Sequence, residues 1–150
     1  MDRREQLLLD DDRAWAELHD ELEGLSSEQM TEPGFTEDWT VKDFLAHLGC
    51  WMAQAAHVLE RIRLGTYERM EVDEDRMNEL FYESCRDLDL VAVKCGLQSS
   101  RIRMLQEWYA LRVPDGEAAW WIRKAGADHY EEHLPRLREW AAELIRRRDE

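Results

Sequence analysis

Apolar residues recur along this chain at steps of three and four, and the places where the recurrence stops divide it into long helical segments. Leu8, Trp15, Leu18, Leu22 and Leu25 share one face and predict a first helix over about residues 3 to 24, which Gly24 is placed to stop. Pro33 and Gly34 then lie in a polar connection that cannot continue a helix. The second helix has the clearest start in the sequence: Thr40 as N-cap, Asp43 three residues on as its capping-box partner, and Trp39 positioned to staple onto Phe44. Val41, Leu45, Leu48, Met52, Ala55, Leu59 and Ile62 trace its buried stripe, and Gly65 ends it.

Between Gly65 and about Asp89 the pattern thins, and only a loop with a short helix around Met77, Leu80 and Phe81 is predicted. Leu90, Val93, Leu97, Met104, Leu105 and Trp108 predict a third main helix to about Arg112, weakened locally by Gly96 and closed by Pro114-Asp115-Gly116. A final helix from about Glu117 to Arg147 carries Ile122, Ala125, Leu137, Trp140 and Leu144 on one face. Pro135 inside it lacks an N–H and crowds the carbonyl of Glu131, so a kink is expected there. Four main amphipathic helices predict an all-α four-helix bundle, with the extra short helix in a crossover and residues 1–150 forming one domain.

Composition narrows the class of protein. Three prolines and seven glycines agree with few turns. Lysine and arginine number 20 against 34 acidic residues, a formal charge of −14, which argues against nucleic acid and anionic membranes as partners. Charges interrupt every apolar run, so no bilayer-spanning segment is expected, and the N-terminal stretch lacks the features of a secretory signal. Cys50, Cys85 and Cys95 form no Cys-x-x-Cys pair and are read as reduced thiols in a cytoplasmic protein.

The candidate chemistry lies in three histidines. His129 and His133 are four residues apart, so on a helix their imidazoles project from neighbouring turns and can share one metal ion. Both fall in phase with Ile122, Ala125, Leu137, Trp140 and Leu144, on the buried stripe, where an unpaired polar group is costly. His47 lies at the core edge of the second helix, and facing helices of a bundle supply ligands to common sites. Three imidazoles with an open fourth position suit catalytic zinc, and nickel or iron would accept them. The competing reading makes each a satisfied core histidine. His19 and His57 fall on polar faces without partner spacing.

The blocks Trp39-Thr40-Val41-Lys42-Asp43-Phe44-Leu45-Ala46-His47-Leu48 and His129-Tyr130-Glu131-Glu132-His133-Leu134-Pro135-Arg136-Leu137-Arg138-Glu139-Trp140 resemble the DinB-like superfamily of four-helix bundles. Trp121-Ile122 upstream of the second block looks most like its ClbS/DfsB branch, with the mycothiol-dependent maleylpyruvate isomerase N-terminal branch a neighbour. The resemblance implies an up-down-down-up bundle, commonly a homodimer. Its metal-binding members use one histidine on the second helix and a His-x-x-x-His pair on the last, positions matched here by His47, His129 and His133. Family activities include transfer of low-molecular-weight thiols, isomerisation with a thiol cofactor, and protection from a reactive genotoxin by opening an electrophilic ring.

The reading that follows is a metal-dependent hydrolase or thiol transferase acting on a small electrophile, with a divalent metal on the three histidines and a low-molecular-weight thiol as a further cofactor. Glu132, beside His133, is the first candidate for a catalytic base, against the alternative of a solvated helix carboxylate. Asp128, Tyr130 and Asn78 stand behind it. Trp51, Trp120 and Trp121 are pocket candidates, although core or dimer packing is the commoner role for tryptophan at helical spacing. Two rival readings are a metal-free bundle that binds or sequesters a small molecule and a purely structural dimerisation module.

Overall fold

The computed structural model describes residues 2–150, and among them every regular element is a helix. They are α1 (Arg3–Glu23), α2 (Ser27–Met30), α3 (Val41–Arg63), α4 (Glu74–Cys85), α5 (Leu90–Ala110), α6 (Gly116–Ala125) and α7 (Ala127–Asp149). The long helices α1, α3, α5 and α7 form the bundle, with α3 packed most extensively on α5 and α1 on α7. None is long and apolar enough to cross a membrane, among the described residues.

Local sequence explains most of the helix starts. The Asp2 carboxylate accepts the Glu5 N–H at the head of α1. Thr40 and Asp43 form the predicted capping box of α3, and Lys42 from its first turn donates to the carbonyls of Arg86 and Leu88 just past α4. The predicted Trp39 staple is replaced: Phe35 packs on Phe44 at 5.5 Å between ring centroids, while Trp39 lies on His47 at 4.7 Å. A capping box at Ser26 and Gln29 starts the four-residue α2, where the sequence pattern predicted only a connection.

The core runs through Leu18, Phe44, Leu48, Met52, Leu59, Met104, Trp108, Leu137 and Trp140, all fully buried. On α1 the buried stripe is Leu7, Asp11, Ala14, Leu18 and Leu22, with Leu8 and Trp15 half-buried beside it. That stripe carries a carboxylate inward. Asp11 accepts two hydrogen bonds from the Arg101 guanidinium, at 3.1 and 2.9 Å, and Arg101 stacks on the Trp15 ring. Burial pushes the Asp11 carboxyl up to about 6, with Arg101 opposing the shift.

The last predicted helix is two helices. The break falls at Gly126, with φ −104° and ψ −117°, and α7 runs on through Pro135 without interruption. At the break the backbone passes directly against α1: a Cβ on residue 126 would run into the Asp11 carboxylate and sit 2.6 Å from the Ile122 carbonyl oxygen. Glycine is therefore required for the close approach. The Gly126→Ala variant is expected to lose about 2 kcal/mol or more of stability, because a carbonyl of the preceding helix must move. A urea midpoint unchanged from the wild type would refute that account of the junction.

Candidate metal centre

His129 stands in the first turn of α7, His133 one turn later, and His47 in the second turn of α3. The predicted convergence is observed. One ligand atom from each of the three lies within 4.8 Å of the others, and the ring centroids are 4.8, 4.9 and 5.6 Å apart in pairs. His47 and His129 are buried and His133 is half-buried. The Nε2 atoms of His47 and His129 are 2.9 Å apart, within hydrogen-bond distance.

The surroundings keep these imidazoles neutral. Burial lowers the His47 pKa to about 4, with the nearby His133 acting in the same direction. Burial also lowers His129 to about 3, assisted by His47, His133 and Lys124. His133 is lowered by burial and partly restored by the Glu132 carboxylate. The Nδ1 atoms of His47 and His129 are buried without hydrogen-bond partners, so their tautomers are set by the contact between the two Nε2 atoms, in which one nitrogen donates and the other accepts.

The three histidines line a cavity of about 300 Å³ whose walls include Trp39, Trp51, Trp120 and Trp121. Asn78 lines it as well, and its Oδ1 accepts the Trp51 indole N–H at 2.8 Å. Glu132 lines the cavity beside His133. The other two weaker candidates point elsewhere: Tyr130 is buried with its hydroxyl 3.0 Å from the Met52 sulfur, and Asp128 is exposed on the face toward α1. Trp51, Trp120 and Trp121 all border the cavity, with Trp121 buried as well. Periodicity gave no sign of Trp39, Glu74 or Lys124, which also reach it. Trp39 stands just outside a helix, and Glu74 and Lys124 read as ordinary solvated charges.

Residues 12–150 match the family described as mycothiol maleylpyruvate isomerase N-terminal domain. Among solved structures, the chain is similar to the colibactin self-resistance protein ClbS in complex with a dsDNA, with 15% identity, TM-score 0.76, and 91% of this chain and 94% of that one covered. An uncharacterised protein from Escherichia coli UTI89 aligns at 17% identity with TM-score 0.78, over 95% of this chain and 94% of that one. The sibling lethal factor precursor DfsB aligns at 18% identity with TM-score 0.75, over 94% and 96%. These likenesses show the expected DinB-like, ClbS/DfsB-type helical fold. No protein of curated function matches the chain.

One expectation is overturned. Nucleic acid was set aside on the net charge of −14, yet a protein of this fold forms a complex with double-stranded DNA. The physical reason is that net charge sums the whole surface, whereas a duplex meets one face and responds to the cations on it.

The lowered histidine pKa values make a signed prediction for chelator-treated protein. Folded values of about 4 and 3 lie below the unfolded 6.5, so the stability they confer is complete above pH 6.5 and is lost as pH falls toward 4. Asp11 works the other way: its folded value of about 6 exceeds the unfolded 3.8, so it adds stability as pH falls through 6. Each histidine should cost about 2 kcal/mol between pH 7.5 and 5, partly offset by Asp11. Urea titrations should therefore show a net loss at pH 5 in the wild type, and a flat or reversed dependence in the His47→Gln/His129→Gln variant. Equal slopes in the two proteins would contradict the assignment.

Proposed function

The chain belongs to the mycothiol maleylpyruvate isomerase N-terminal domain family, and we propose that His47, His129 and His133 hold a divalent metal ion at which a small electrophile is attacked. Zinc is the first choice of ion, with nickel or iron next. The observation that carries this reading is three neutral imidazoles converging within 4.8 Å in the wall of a cavity that four tryptophans also line.

The residues fit the ion. His47, His129 and His133 would hold the ion through one nitrogen each, and these atoms already lie within 4.8 Å of one another. Three neutral nitrogen donors and no carboxylate suit a borderline cation. Burying two imidazoles whose Nδ1 atoms lack partners costs about 1–3 kcal/mol each. A cation shared by one nitrogen of each ring would give these buried polar side chains a partner, whereas apolar side chains would fill the same space without that cost.

When bound, a divalent cation supplies Lewis acidity, lowering the pKa of a thiol or water nucleophile. The chain's own groups supply the rest. Burial holds the three imidazoles deprotonated at neutral pH, so their donor lone pairs are free without a prior proton loss. The tryptophans enclose the electrophile and exclude bulk water, which strengthens charge interactions inside the cavity. Glu132, on the cavity wall, accepts the proton of the incoming nucleophile. A low-molecular-weight thiol is one such nucleophile and water is the other, so thiol transfer and hydrolysis share one geometry. The homodimer implied by the resemblance belongs to this proposal too.

A metal-free binding bundle is the second reading, favoured by the 2.9 Å separation of the His47 and His129 nitrogens, which a single proton can bridge. Titration calorimetry separates the two. Chelator-treated, untagged protein should take up one equivalent of zinc, and His129→Ala should weaken uptake by about 100-fold or more. Absence of uptake would leave the metal-free reading standing. On the loaded protein, Glu132→Gln should lower turnover of an epoxide or similar strained ring by about 10²-fold while zinc uptake is unchanged. Full activity in that variant would remove Glu132 from the mechanism.

A further inference from the structure

Away from the histidines, α3 and α4 bring two thiols together. Cys50 Sγ and Cys85 Sγ lie 3.6 Å apart and both residues are half-buried. The helix that carries Cys85 is lightly attached, for α4 has no buried residue. Its position rests on the Trp51 indole N–H donated to Asn78, the edge of Trp51 against Phe81 at 5.3 Å, and Lys42 beneath its C-terminal end. An element held this way opens locally at far lower free energy than the core. The same element borders the histidine cavity, to which it contributes Glu74 and Asn78.

We propose that Cys50 and Cys85 form a reversible dithiol–disulfide site, oxidised by a low-molecular-weight disulfide, which staples α4 to α3 and so restricts entry to the cavity. Cys85, as thiolate, attacks one sulfur of the reagent RSSR; its proton and the departing thiolate leave as RSH, and a mixed disulfide remains on Cys85. Cys50 then attacks the Cys85 sulfur, and the second RSH leaves with the Cys50 proton. Two protein thiols are oxidised to one disulfide while RSSR is reduced to two RSH, and no further oxidant is needed. Burial, with Cys85 beside it, pushes the Cys50 thiol up to about 12, which suits Cys50 to the second, proximity-driven step rather than the first. Closing the sulfurs to a bond of about 2.0 Å requires a movement of about 1.6 Å, within reach of side-chain rotation on a lightly held helix.

The staple does not depend on what the cavity binds, and its test uses no metal and no turnover. The full-length Cys95→Ser protein, freed of the exposed third thiol, is incubated with oxidised glutathione and followed by intact mass, thiol titration and amide hydrogen exchange. The expected result is loss of both thiols together, a mass lower by two hydrogens, no retained glutathione, and α4 amides exchanging about tenfold or more slowly. Dithiothreitol should reverse every change. Adding Cys50→Ser should trap one glutathione on Cys85, because the resolving thiol is gone. Persistence of both thiols, or a stable glutathione adduct with both cysteines present, would overturn the site. A disulfide that forms without slowing α4 exchange would overturn the staple.

Discussion

The approach of α1 to the α6–α7 junction fixes where the last helix begins, and through it the location of the histidine site. Asp11 reaches the backbone at Gly126, and only glycine leaves room for it there. The Arg101 guanidinium from α5 then holds the carboxylate in place with two hydrogen bonds. Three helices are thereby tied to one point, and α7 starts from it: His129 is the third residue of that helix and His133 lies one turn further. Opposite them stands His47, on a helix whose own start is fixed by the Thr40 capping box. The site is thus framed by two well-determined helix starts rather than by a loop.

Polar groups make this core costly to assemble. A buried carboxylate that is nearly matched by its arginine contributes little net stability, but removing either partner strands a charge. The imidazoles present a second cost, since two of their nitrogens are buried without partners. The carboxylate sits where α1 meets α5 and the α6–α7 junction, and the imidazoles sit where α3 faces the start of α7. The cavity is completed by α4, which buries no residue of its own and contributes Glu74 and Asn78.

Much of this was legible in the sequence, for reasons that differ by residue. Thr40 and Asp43 carry their own hydrogen-bonding logic, so the start of α3 was readable without its neighbours. The histidine phase was readable because the three- and four-residue steps survive the break between Ala125 and Ala127, even though a single helix was expected there. The break itself was hidden. It falls at Gly126, a residue that a helical pattern tolerates, and the contact that makes glycine necessary there comes from Asp11 on α1, more than a hundred positions away. Trp39 was assigned to Phe44, but Phe35 from the preceding loop fills that place and frees Trp39 for His47. The inference from net charge to nucleic acid failed because a sum over the surface carries no information about any one face.

X-ray absorption at the zinc edge, on protein loaded with one equivalent of the ion, tests the central claim most directly. The account predicts a first shell of four light atoms near 2.0 Å, with the outer-shell scattering of three imidazole rings, falling to two rings in His133→Ala. A shell dominated by carboxylate oxygen, by sulfur, or by fewer than three imidazoles in the wild type would place the ion elsewhere and contradict it.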